Sequence, residues 1–314
     1  MLGRSASEIF WMFRLLERAE NTARLVDVGF RLALTRGASA AQDEWRSVLV
    51  TIGQDQEYST RHDDYSSQQV FNFILRDRTN PASVRNMIEQ ARSNARAART
   101  SLSREVFEAT NEGWMEINAV LARPVQESNL GEVLSAIRRQ STLVRGAMDG
   151  TLLRRENFRF ARMGTFIERA DNTARILDVK YYVLLPSSAW VGSSLDNVQW
   201  EMMLRSVSGE RAYRWLNAGT MDPHGIAAFL ILDDRFPRSL AFCYQELRTT
   251  LENLVREYGE KSEALAAIVG ASERLQDMDI EQIIDHGLHE FLVGFIAENQ
   301  QLANIIAANY RFTR

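Results

Sequence analysis

One charged, alanine-studded phrase is written twice in this chain. Residues 17–27 read ERAENTARLVD and residues 168–178 read ERADNTARILD. Over positions 15–27 against 166–178, eight of thirteen residues are identical. Further landmarks follow in the same order. Trp200 stands 155 residues after Trp45, Pro237 stands 156 after Pro81, and NYRF at 309–312 echoes NFRF at 157–160. Phe229, Asp233 and Ser239 align with Phe73, Asp77 and Ser83 in the same way. A chance match of one phrase would not bring other landmarks in register, whereas a duplicated unit with loop insertions would. The spacing is far too long for a short-repeat solenoid.

Both copies sit in helical patterns. Leu16, Ala19, Ala23, Val26 and Phe30 are separated by steps of three and four, one stripe of a helix. Five prolines and 17 glycines among 314 residues leave long helices easy to build. No alternating strand pattern of useful length occurs. The sequence therefore predicts an all-α fold: two pseudo-symmetric helical halves, residues 1–160 and 161–314, from an internal duplication and packed as one bundle-like unit. Ser5 followed by Glu8 has the spacing of a capping box at the first helix, and Gly37 is a natural stop. Further helices are expected at about 43–53, 68–77, 111–123 and 129–151. Residues 54–66, with His62, Asp63 and Asp64, form a polar loop in this reading. Asn80 and Pro81 have the character of N-cap and first residue of a long helix. Arg92, Arg96, Arg99 and Arg104 would mostly share a face of that helix, solvated or paired to acids.

Composition excludes several functions. The net charge of −4 gives no electrostatic footprint for nucleic acid. No stretch approaches the apolar length of a membrane span, and the N-terminal segment becomes charged too early for a secretory signal. The single cysteine, Cys243, lies in the apolar run SLAFCY and permits no disulfide within the chain. A cytoplasmic location without membrane or nucleic-acid partners is expected. His286 and His289 stand three apart beside Asp285 and Glu290, but HExxH is absent and only His62 and His224 remain elsewhere. No shared metal is expected at these histidines. There is no P-loop, dinucleotide fingerprint or GxSxG elbow.

The phrase itself has a definite geometry on a helix. Glu17, Asn21 and Arg24 fall on one polar seam, with Arg18 and Thr22 alongside; Glu168, Asn172, Arg175, Arg169 and Thr173 repeat it. Alanines beside that seam permit close approach of another backbone. Two readings stand. The acids and bases satisfy one another inside a tight helix interface, Glu17 and Glu168 pairing with arginines of these helices either locally or across a pseudo-twofold, as Glu17 with Arg175 and Glu168 with Arg24. Alternatively, the arginines hold an anionic ligand by forked hydrogen bonds.

The phrases ERAENTAR and ERADNTAR, with NPASVR and ARSNARAAR, resemble the bacterial Alpha-E proteins over essentially the whole chain. That resemblance implies an all-helical protein named for a Glu-Arg motif. It also implies a genetic association with a circularly permuted ATP-grasp protein and a transglutaminase-like cysteine peptidase. The expected role is a helical partner or scaffold in a peptide-forming or peptide-processing system. The alternative is an enzyme of the same pathway with its site at the Glu-Arg motifs. No catalytic residue or cofactor is specified by either.

Overall fold

The computed structural model describes residues 3–36, 38–182, 194–217, 221–259 and 262–312. Among them are fifteen α-helices, one 3₁₀ turn and no strand. In chain order the first helices are α1 (Gly3–Arg36), α2 (Ala38–Thr51), α3 (Asp55–Ser59), α4 (Ser67–Leu75) and α5 (Val84–Ala97). There follow a 3₁₀ turn (Arg99–Ser101), α6 (Arg104–Val120), α7 (Glu127–Thr151) and α8 (Glu156–Tyr182). The remainder are α9 (Ser194–Ser206), α10 (Glu210–Leu216), α11 (Pro223–Ile231), α12 (Leu240–Tyr258), α13 (Glu263–Asp277), α14 (Ile280–His286) and α15 (Leu288–Asn309). The chain divides into two compact units, one running to Thr165 and one from Phe166 to Phe312.

In the first unit α1 lies against α2, α5 and α7, and α6 packs on α5 and α7. Small residues set these distances. A Cβ on Gly29 would stand 2.5 Å from Val48 and 3.2 Å from the Trp45 ring. Trp45 is buried and meets Phe71 edge-on at 4.8 Å. One approach is between backbones: a Cβ on Gly164 would lie 2.1 Å from the Phe10 carbonyl oxygen. Only glycine fits there.

In the second unit α12 packs on α13, α13 on α15, and α11 on α9, α12 and α14. Trp200, Tyr213 and Phe229 are buried, with Phe229 stacked on Phe236 at 4.5 Å. Tyr244 is buried against Phe295, and burial pushes its phenol well above the ordinary value. Cys243 is a fully buried core residue of α12.

The helices differ from the sequence-based expectation at several ends. The first helix already includes Gly3, so Ser5 lies inside it and is no N-cap; Glu8 is half-buried, and its carboxyl is raised by that burial. Gly37 lies outside the described residues. The segment 54–66 is not all loop: it contains α3, whose Tyr58 is fully buried and donates to the Asp64 carbonyl at 2.7 Å. The helix expected from Asn80 begins instead at Val84, capped by Ser83. Asn80 is buried and its amide is used elsewhere, on Gln54 Oε1 at 2.7 Å and the Phe73 carbonyl at 3.0 Å. That helix ends at Ala97, so the four arginines do not share one face. Arg92 lies over Trp114 at 3.9 Å, Arg99 over Phe107 at 5.0 Å, and Arg104 pairs with Glu108 on α6. The expected helix 111–123 is α6, which starts earlier because Ser103 caps it.

Candidate functional site

The repeated phrase occupies enclosed stretches of two long helices. Ala19 and Ala23 on α1, and Ala170 and Ala174 on α8, have no exposed surface. Every residue from 163 to 174 is buried. A helix buried on all sides is ordinarily apolar. Here it also carries Glu17, Glu20, Asn21 and Thr22 in the first copy, and Glu168, Arg169, Asp171, Asn172 and Thr173 in the second.

Buried charge requires paired charge. In the first unit Arg145 of α7 supplies it. Its Nη1 donates to Glu17 Oε2 at 3.0 Å and stands 2.5 Å from Glu20 Oε2. The other Glu20 oxygen accepts from Arg24, Nε at 3.0 Å and Nη2 at 2.6 Å. Both glutamate side chains are completely enclosed, while the Arg145 and Arg24 side chains keep 22% and 19% of their surface. Two carboxylates thus sit inside, with two guanidiniums closing them off from solvent. One turn earlier, Arg14 is buried over the Trp11 ring at 4.9 Å. Asp27, the last residue of the phrase, accepts from Arg138 of α7 at 3.1 Å.

In the second unit Arg175 takes Asp171 of its own helix, Nε to Oδ2 at 2.7 Å. Arg169 donates to the Pro237 carbonyl at 3.1 Å and lies over Phe166, and Thr173 donates to the Arg238 carbonyl at 2.7 Å. Asp178 faces His289 of α15 at 2.5 Å. His286 instead places Nδ1 against its own helix carbonyl of Gln282 at 2.7 Å. Among the described residues no group of three or more His, Cys, Asp or Glu side chains could hold a metal ion.

Both copies receive one further bond at the same place. Ser141 of α7 donates to the Leu16 carbonyl at 3.0 Å, and Asn299 of α15 donates to the Ile167 carbonyl at 3.0 Å. Each carbonyl belongs to the residue immediately before the Glu of the phrase.

Three members of the phrase have partners within their own unit. Arg24 has Glu20 and Arg175 has Asp171, each four residues earlier on its own helix, a favourable acid-before-base order. Glu17 has Arg145 of α7. Sequence reasoning passed over Glu20 and Asp171, although the spacing to Arg24 and Arg175 was visible. Arg145 carried no local signal at all.

Such a molecule is an all-helical protein whose phrase-bearing helices are fixed by internal ion pairs and side-chain bonds to helix carbonyls. The chain belongs to the Alpha-E family, described as a predicted alpha-helical domain with a conserved ER motif, whose model matches residues 1–310. No curated protein and no solved structure matches it.

Proposed function

We propose that this chain is a helical scaffold that binds a circularly permuted ATP-grasp protein in the cytoplasm, within a peptide-forming or peptide-processing system. In this reading the family's ER motif is Glu17-Arg18 and its second copy Glu168-Arg169, and the two halves descend from one duplicated helical unit. A transglutaminase-like peptidase is the second partner. The seam residues Glu17, Asn21, Arg24, Glu168, Asn172 and Arg175 then act in building the scaffold. The observation that carries this reading is the enclosure of Glu17 and Glu20, with their charges held by Arg145 and Arg24. A general acid or base must reach a substrate; these carboxylates face neighbouring helices. No described helix is long and apolar enough to cross a membrane.

Co-expression with a circularly permuted ATP-grasp protein from the same source tests the proposal. A stoichiometric complex should survive size-exclusion chromatography, and Glu17→Gln, if folded, should leave complex formation intact. Failure to form the complex would sink the scaffold reading. A complex whose ligase turnover, but not assembly, is abolished by Glu17→Gln would instead place catalysis at the motif.

A further inference from the structure

A pocket of about 900 Å³ opens in the first unit where α4 turns into α5, and three arginines, Arg76, Arg78 and Arg85, line it with His62 and Asp77. Its volume lies within the range of small-molecule sites. Arg76 is fixed by neutral acceptors: Nε donates to the Leu121 carbonyl at 3.1 Å and Nη2 to the Ala122 carbonyl at 3.2 Å. Its positive charge is therefore oriented but not cancelled. Asp77 does not cancel it either. Its carboxylate accepts from the Thr79 amide at 2.8 Å and hydroxyl at 2.9 Å, and has Arg61 at 3.5 Å. Among the described residues neither Arg78 nor Arg85 forms an ion pair. Arg85 shows the cost: burial lowers its pKa, Arg78 and then Arg76 lower it further, and Glu89 opposes them more weakly.

The backbone under these side chains is held in place. Asn86 Nδ2 donates to the carbonyls of Arg78 at 3.0 Å and Asn80 at 2.7 Å, with that of Asp77 at 3.4 Å. The turn presenting Arg78 is thus pinned by the first turn of α5.

A structural role for the three arginines is answered by the second half of the chain. There the same turn is built without them. Asp233 accepts from the Arg235 amide at 2.8 Å as Asp77 does from Thr79, and Ser239 caps α12 as Ser83 caps α5. At the positions aligned with Arg76, Arg78 and Arg85 stand Leu232, Asp234 and Ala241. The turn needs none of the three charges.

We propose that this pocket binds a phosphate-bearing small molecule, its phosphate held by Arg76, Arg78 and Arg85. Three guanidiniums without carboxylate partners match the tetrahedral, multiply charged oxygen set of a phosphate better than the single fork of a carboxylate. The pocket is larger than a bare phosphate requires, leaving room for an organic part on the His62 side. This site is independent of the scaffold reading and shares no residue with the repeated phrase.

Inorganic pyrophosphate is the probe, titrated calorimetrically at low ionic strength against citrate of matched charge. The full chain should bind pyrophosphate saturably and more tightly than citrate. Arg85→Ala and Arg78→Asp, each placing the residue found in the second half, should each weaken it by about tenfold or more. Arg85→Ala should melt no lower than the parent, because it relieves repulsion; Arg78 is exposed, so Arg78→Asp keeps the test open if Arg85→Ala fails to fold. No saturable binding below about 10 mM, where affinity becomes negligible, would overturn the proposal. So would equal affinity in the folded variants, or citrate binding as tightly as pyrophosphate.

Discussion

Replacing Arg145 by alanine tests whether the buried ion pairs organise α1. The change removes the one cation that α7 brings to both Glu17 and Glu20. Removing one member of a buried pair costs about 3–5 kcal/mol, because the remaining charge stays enclosed. Two features reduce that here. Arg145 keeps 22% of its side-chain surface, so water partly screens the pair, and Glu20 retains Arg24 at 2.6 Å. A loss of about 2–3 kcal/mol follows. For a unit of this size that corresponds to a fall in Tm of about 4–12 °C. Thermal unfolding followed by circular dichroism reads it. Combining Arg145→Met with Glu17→Leu should recover part of the loss, since that pair then has no charge to strand while Glu20 keeps Arg24. A double-mutant cycle between Arg145→Ala and Glu17→Gln should show about 1 kcal/mol or more of coupling. Strict additivity, or a Tm within a degree of the parent for Arg145→Ala, would refute the reasoning.

Two further outcomes are expected. Gly164→Ala should destabilise by about 3 kcal/mol or more, because its Cβ would press on the Phe10 backbone; Gly113→Ala should cost only about 1 kcal/mol, because the Gln140 side chain it meets can swing away. Denaturant unfolding of both variants checks this, and a larger loss at Gly113 would contradict it. Asp233 is held below the ordinary carboxyl range first by the Arg235 side-chain bonds, against burial. Its folded pKa is depressed, so its stabilisation is complete above the unfolded value of about 4 and is lost as pH falls through the folded value. The Tm difference between parent and Asp233→Asn should therefore shrink from pH 6 to pH 2.5; a constant difference would exclude the linkage.

The all-helical class was legible because few prolines, stepwise apolar spacing and the lack of alternating strand patterns all agree. The polar seam was legible as a seam but not as a set of partners. Local pairs such as Glu20 with Arg24 follow from spacing on one helix. The pair of Glu17 with Arg145 joins residues 128 apart, and nothing in the neighbourhood of Arg145 announces it. Asn80 and Ser83 are both good caps. The choice fell to Ser83 because Asn80 is drawn to Gln54 and Phe73, contacts that exist only after folding. The arginine pocket was hidden for a related reason. Its members are ordinary surface-type residues until α4, the turn and α5 bring them together.

The bonds from Ser141 to Leu16 and from Asn299 to Ile167 span 125 and 132 residues. Each joins the helix bearing the phrase to a later long helix of its own unit. During synthesis, at about 5–20 residues per second, Glu17 and Glu20 therefore wait about 6–25 s before α7 can reach them. Until then a helix destined for the interior carries its glutamates without Arg145, although Glu20 already has Arg24 of its own helix. The polar seam thus delays burial of α1 until the helix that completes its pairing has been made. A nascent chain halted before residue 141 should accordingly expose α1 to protease, and one extended past α7 should protect it.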